Sequence, residues 1–171
     1  TKEKKVEITP DATVLVVDDE ADIRDASERI LTRIGFQVLK ASRGDEALAL
    51  LEKENASLVL LDLKMPGMDG LEVLKHIRMR HETIQIIVIT GYATVETAIE
   101  AMKRGAYDFI SKPFEPDQLR IVVNRAWEKI SLRRESEKLE EERRRTLSDL
   151  DTEKSRIHTI LESFPSGVIV T

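Results

Sequence analysis

Val14-Leu15-Val16-Val17-Asp18-Asp19-Glu20 decides the reading of this chain. Four consecutive apolar residues, three of them β-branched, stop abruptly at three acids. A strand covered on both faces has this pattern, because a buried parallel strand has no solvent side to mark with alternating polar residues. Outward from it, strand and helix signals alternate. Ile23, Ala26, Ile30 and Ile34 share one helical face over 21–34, and Gly35 ends that helix. Phe36 to Ala41 reads as a second strand, and Asp45 to Lys53 as a helix with Ala47, Leu48 and Leu51 inward. Leu58 to Leu61 forms a third strand ending at Asp62, and the following helix turns Leu71, Leu74 and Ile77 inward. Ile84 to Ile89 ends at Thr90, and the next helix carries Val95, Ala98, Ile99 and Met102 on one stripe, closing at Gly105. Tyr107 to Ser111 ends at Lys112-Pro113, and a fifth helix begins near Pro116.

Five strand–helix units predict an α/β fold: a flavodoxin-like, doubly wound, five-stranded parallel sheet of order 2-1-3-4-5, with helices on both faces. Its ligands belong at the carboxyl ends of the strands. That rule collects Asp18, Asp19, Asp62, Thr90 and Lys112 at one sheet edge. Three carboxylates crowded there raise one another's pKa unless a cation is present. A hard divalent cation with oxygen ligands resolves the repulsion, and Mg2+ suits a site with few carboxylates and several waters. With the Lys112 ammonium and the Thr90 hydroxyl, the set suits phosphoryl transfer to a carboxylate. No glycine-rich phosphate loop follows the first strand, so a nucleotide site is not indicated. Singly, Asp18 and Asp19 would read as helix caps and Thr90 and Lys112 as ordinary surface residues. Asp69 reads as the cap of the third helix.

The segments 14–20, Leu60-Leu61-Asp62-Leu63-Lys64-Met65-Pro66-Gly67-Met68-Asp69-Gly70, Ile89-Thr90-Gly91-Tyr92 and Phe109-Ile110-Ser111-Lys112-Pro113-Phe114 resemble the CheY-like receiver domain of two-component response regulators. All four stand in the family's order over roughly 120 residues, and 94–114 looks closest to receivers of the nitrogen-regulation type. The resemblance implies that Asp62 takes a phosphoryl group from a histidine kinase or a histidine phosphotransfer protein. It implies Mg2+ held by Asp19, Asp62 and the Lys64 backbone carbonyl, with Asp18 acting through water. Thr90 and Lys112 would contact phosphoryl oxygens, and Phe109 falls at the aromatic switch position.

After the fifth helix the composition changes. From Arg133 to Arg156 about two-thirds of the residues are charged, with neither Gly nor Pro, as in one long solvated helix. Leu132 and Leu139 are seven apart, as are Leu150 and Ile157. A second phase of Leu147, Leu150, Ile157, Leu161 and Phe164 places Lys154 in the seam. The two phases join only through a slip near 143–146, which predicts an imperfect two-stranded coiled coil and a homodimer. His158 lacks the acidic residue, arginine and proline expected after a phosphorylatable histidine, and reads as structural. Residues 160–170 resemble the entry to a PAS sensor domain. The strand signal Val168–Val170 has no later partner, so the chain reads as a piece of a longer protein. The expected organisation is a tail at 1–12, a receiver at 13–131, a signalling helix at 132–163 and a truncated domain from 164.

Composition limits the rest. A hydrophobic fraction of 41% with 35% charged residues fits a soluble domain with a charged extension. No apolar run spans a bilayer and 1–9 is not a secretory signal, so the expected compartment is the cytoplasm, with no membrane contact. The absence of cysteine excludes disulfides and thiol chemistry, and a net charge of −5 argues against nucleic acid as a partner of this segment. The segment itself is expected not to be an enzyme beyond self-phosphotransfer and acyl-phosphate hydrolysis. Two other readings stay open: a constitutive dimer in which the receiver is an unphosphorylated adaptor, and the receiver segment of a larger sensor histidine kinase.

Overall fold

The computed structural model describes Ile8 and residues 12–67, 69–91 and 94–163, with side chains through Glu153. The expected strand at Val168–Val170, the PAS-like segment, and the side chains of Ile157, His158, Leu161 and Phe164 lie outside the described residues. So do Met68 and Tyr92 of the quoted motifs.

Strands and helices alternate: β1 Thr13–Val17, α1 Ala21–Ile34, β2 Gln37–Ala41, α2 Gly44–Lys53, β3 Leu58–Asp62, α3 Gly70–Arg80, β4 Gln85–Thr90, α4 Val95–Lys103, β5 Asp108–Ser111 and α5 Pro116–Ser163. The five strands form one parallel sheet in the order β2-β1-β3-β4-β5. This is the flavodoxin-like arrangement expected from the sequence.

The period of two along each strand sorts its side chains to opposite faces. Leu15, Val17, Val59, Leu61, Ile86 and Val88 pack on one face with Ala47 and Leu51 of α2, Val73, Leu74 and Ile77 of α3, and Ala101 of α4. Val14, Val16, Leu58, Leu60, Ile87, Ile89 and Ile110 pack on the other with Leu31 of α1 and with Leu119, Val123, Ala126 and Trp127 of α5. Trp127 is buried and meets Phe36 edge-on, with ring centroids 5.6 Å apart, so it packs the fifth helix on the sheet.

Element ends shift by about one residue from expectation, and the reasons are local. Phe36 precedes β2 because its N–H, with that of Gly35, closes α1 by donating to Leu31 O at 3.1 and 3.2 Å. Gly35 sits at φ 119°, a left-handed conformation that glycine adopts without a Cβ penalty.

The helix faces differ more. In α1 the buried residues are Ser27 and Leu31, flanked by half-buried Ile23, Ala26, Ile30 and Ile34. In α4 the larger members of the apolar stripe face solvent: Val95 is 77%, Ile99 49% and Met102 46% exposed, Ala98 is half-buried, and Ala101, outside the stripe, is buried. The sheet accepts only the narrow alanine seam of this helix, and its larger apolar side chains lie outside that contact.

The chain divides into two compact units, Thr1–Ile130 and Ser131–Thr171. In the second, every side chain described from Arg133 to Glu153 is exposed. Arg133–Glu137, Arg144–Glu140 and Arg145–Glu141 pair at i,i+4 spacing, and Leu139, Leu147 and Leu150 are each more than half exposed.

Candidate phosphoacceptor site

Sheet register builds the site. Val17 pairs with Leu61, so the residues that follow, Asp18 and Asp62, stand side by side where the strand order reverses. Thr90 pairs with Ser111, and the Lys112 N–H donates to Thr90 O at 3.0 Å, which fixes the exit of β5 beside that of β4. Asp18, Asp62 and Thr90 are buried, Asp19 is exposed and Lys112 is half-buried. The sequence placed all five at this edge, and the structure brings them there.

Carboxylate oxygens of Asp18, Asp19 and Asp62 lie within 4.8 Å of one another. The Lys112 Nζ stands 2.7 Å from Asp18 Oδ2, 3.0 Å from Asp62 Oδ2 and 3.8 Å from Glu20 Oε2. The remaining oxygens of the buried pair are held by backbone donors: Glu20 N–H to Asp18 Oδ1 and Lys64 N–H to Asp62 Oδ1, both at 2.9 Å. Burial pushes the Asp18 carboxyl above the ordinary range. Its hydrogen bonds to Lys112 and to the Glu20 N–H oppose this, and the Asp62 charge adds to it. Burial works to lower the Lys112 ammonium, but its hydrogen bonds to Asp18 and Asp62 outweigh that and hold it above the usual lysine value.

The donor set fits a divalent cation: three carboxylates and one compensating ammonium leave excess negative charge among oxygen ligands. A carboxylate nucleophile beside a lysine, a threonine hydroxyl and a cation position can accept a phosphoryl group and stabilise the charge that develops on it.

The loop after Asp62 turns back so tightly that a Cβ on Gly70 would sit 2.4 Å from Leu63 Cα and 2.6 Å from Leu63 O. Glycine at 70 therefore permits the turn that brings the Lys64 backbone to Asp62. Asp69 caps α3 as expected, accepting the Leu71 N–H at 3.1 Å. Asp18 and Asp19 do not cap α1; its N-cap residue is Glu20, which makes no side-chain capping bond. Phe109 is half-buried and packs against the β-sheet core on the α2–α4 side.

Two neighbours were missed in the sequence: Glu20, the outermost partner of Lys112, and Arg24, whose Nη1 donates to Asp18 O at 2.7 Å. Helical side chains lean toward the helix N-terminus, so a long donor in the first turn after the acidic pair is the signal that points to Arg24.

Comparison with known proteins places this geometry. Residues 14–124 match the family described as response regulator receiver domain. The nitrogen assimilation regulatory protein NtrX of Azorhizobium caulinodans is 41% identical over 130 residues, which are 75% of this chain and 29% of that protein. The sporulation initiation phosphotransferase F of Bacillus subtilis is 38% identical over 112 residues, 66% of this chain and 90% of that one. The crystal structure of the receiver domain of NtrX from Brucella abortus superposes with a TM-score of 0.65 at 44% identity, covering 67% of this chain and 98% of that one. The chain thus spans under a third of the length of the Azorhizobium NtrX protein and nine-tenths of that of the sporulation phosphotransferase. Receiver domains of this kind take phosphoryl groups from histidine kinases and bind Mg2+ at an acidic pocket. The chain belongs to the response regulator receiver domain family, and the switch that such a domain provides is phosphorylation-dependent.

Proposed function

We propose that Asp62 is the phosphoacceptor and that a phosphohistidine on a histidine kinase or phosphotransfer protein is the donor. One observation carries this reading: Asp62 is buried at the end of β3 with its carboxylate held between the Lys112 ammonium and the Lys64 N–H. These two contacts aim a nucleophile that would otherwise be free to rotate.

In the transfer an Asp62 oxygen bonds to phosphorus as the bond from phosphorus to the donor imidazole nitrogen breaks. The electron pair leaves on the imidazole, which takes up a proton. Lys112, already against Asp62, neutralises a phosphoryl oxygen, and the Thr90 hydroxyl donates to another. Asp19, Asp62 and the Lys64 carbonyl would hold Mg2+, with Asp18 acting through water. Bound there, Mg2+ would offset the charge of the carboxylates and of the incoming phosphoryl group. Phe109 and Thr90 form the switch, biasing the face of α4, β5 and α5 when the acyl phosphate draws Thr90 and Lys112 toward it.

The same reading assigns 13–131 to the receiver and 132–163 to a signalling helix that pairs with a second copy. The exposed leucines of that helix support the pairing: Leu132, Leu139, Leu147 and Leu150 each expose more than half of their surface. A PAS-like domain from residue 164 and a cytoplasmic location complete the proposal; among the described residues no helix is long and apolar enough to cross a membrane. Treatment with acetyl phosphate and Mg2+, followed by intact-mass measurement, tests the acceptor. One added phosphoryl group is expected on the wild type and none on Asp62→Asn; equal gain on both would remove Asp62 from its role.

A further inference from the structure

Asp19 differs from the other two carboxylates of the site. Asp18 and Asp62 are each fixed through both oxygens by Lys112 and a backbone N–H. Asp19 is exposed, and among the described residues its carboxylate makes no hydrogen bond or ion pair. No side-chain partner steers it, so its reach toward the other two carboxylates depends on where the backbone places its Cα–Cβ bond. The peptide plane that carries it is the Asp18–Asp19 bond, and the oxygen of that plane, Asp18 O, accepts the Arg24 Nη1 at 2.7 Å. On the other side of Asp18, its own N–H donates to Ala41 O on the neighbouring strand at 3.1 Å. The turn from β1 into α1 is thus clamped at both ends of residue 18, once by the sheet and once by Arg24.

Helix logic does not account for a cation here. Arg24 stands near the N-terminus of α1, where the helix dipole disfavours positive charge, and the N-cap Glu20 leaves its side chain out of any cap. A guanidinium bonded to a carbonyl at 2.7 Å is a short, charge-assisted contact that resists rotation of the peptide.

We propose that Arg24 is a positioning residue: by holding the Asp18–Asp19 peptide it aims the Asp19 carboxylate at the cation position beside Asp62. This rests on the reading of the acidic cluster as a Mg2+ site. Arg24 touches neither the cation nor the phosphoryl group. Its effect is on the preorganisation of one ligand, so losing it costs cation affinity and leaves the chemistry at saturating Mg2+ intact.

Two measurements on the whole chain test this. The first is the Mg2+ dissociation constant by calorimetry for the wild type, Arg24→Ala, Arg24→Lys and Asp19→Asn. The second is the Mg2+ dependence of acetyl-phosphate labelling for the same variants. Arg24→Ala is expected to weaken Mg2+ about 10-fold, the scale of losing a group that orients a ligand. It raises the Mg2+ concentration for half-maximal labelling in proportion and keeps the rate at saturating Mg2+ within about 2-fold. Arg24→Lys recovers part of the affinity, since an ammonium still reaches a carbonyl but without the planar fork. Unchanged or tighter Mg2+ binding in Arg24→Ala overturns the proposal, because removing a nearby positive charge would then outweigh any loss of geometry. A fall in the saturated rate with unchanged affinity also overturns it. A melting curve of Arg24→Ala without Mg2+ distinguishes simple unfolding: a wild-type curve with weakened Mg2+ binding supports positioning. A large drop in Tm with no recovery in Arg24→Lys assigns Arg24 to structure alone and overturns the proposal. The reading of the cluster fails separately, if wild type and Asp19→Asn bind Mg2+ alike.

Discussion

The carboxyl end of the sheet and the helix beyond Ser131 are both rich in charge, yet they use it in opposite ways. At the sheet edge two buried acids, one exposed acid and a half-buried lysine converge, and every carboxylate oxygen of Asp18 and Asp62 has an identified donor. Along the distal helix the charges are exposed and pair within one helical turn, as in Arg133–Glu137 and Arg145–Glu141. Pairs of the second kind contribute at most about 0.5 kcal/mol each, because water screens them and long side chains lose freedom in forming them. Buried charges interact far more strongly, and they also cost more to bury. The pocket therefore responds sharply to a change in charge, while the helix tolerates one. A dianionic group added to Asp62 falls in the sensitive region.

The contrast is broken most severely at Asp62. Asp62→Asn keeps the shape of the side chain and removes the nucleophile, so labelling by acetyl phosphate should be lost entirely, as read by intact mass. The same change should weaken Mg2+, because the cluster loses one of three carboxylates. Next comes the turn that shapes the site. Gly70→Ala drives a Cβ against the Leu63 backbone, which has no flexible end to yield. A loss of about 3 kcal/mol is expected, and with it a fall in Tm of roughly 10 °C. A melt matching the wild type would show that the loop can shift, and that glycine is not what places Lys64 at Asp62.

How much of this was legible in the sequence follows from which forces act. Strand ends are easy to read, because a solid apolar run that stops at Asp18, Asp62 or Thr90 marks a buried strand and its exit together. Parallel order then brings those exits to one edge, so the core of the site could be assembled without coordinates. Helix faces are harder. In α4 apolar periodicity pointed to Val95, Ile99 and Met102, but the contact with the sheet is made by Ala101, and the larger side chains face solvent. Periodicity ranks residues by hydrophobicity, whereas a crowded interface selects by size. Arg24 is harder again: the long donor in the first helical turn is visible in the sequence, but the backbone carbonyl it serves is not.

The distal helix offers a weaker test of the comparison. If Leu139 and Leu150 line a seam with a second copy, Leu139→Asp and Leu150→Asp should each weaken dimerisation about 10- to 100-fold, read by analytical ultracentrifugation. Replacing Arg145 by Ala, on a surface pair of the same helix, should change the association constant by less than about 2-fold. Equal effects of leucine and arginine variants would mean that charge, and not an apolar seam, organises this region.

The smallest effect concerns the cost of the pocket itself. The Asp18 carboxyl is pushed above its ordinary value of 3.8, first by burial and then by the charge of Asp62, against the pull of Lys112 and the Glu20 N–H. In the folded state its charged form is thus less favourable, relative to the neutral form, than in the unfolded chain. The linkage has a definite sign: stability from this group is present below 3.8, falls as pH rises from 3.8 to the raised folded value, and stays lost at neutral pH. Lys112 contributes the opposite way, its raised value giving stability at neutral pH that is lost only above 10.5. Asn mimics the neutral form of Asp18. Without Mg2+ at pH 7, Asp18→Asn should therefore be more stable than the wild type, and the gain should vanish as pH falls below 3.8. Adding Mg2+ should reverse the order, because the cation binds the intact cluster more tightly and stabilises it by mass action. If Asp18→Asn is instead the less stable protein in the absence of Mg2+, its ion pair with Lys112 outweighs the burial of its charge. The pocket would then be held together by the same salt bridge that phosphorylation has to rearrange.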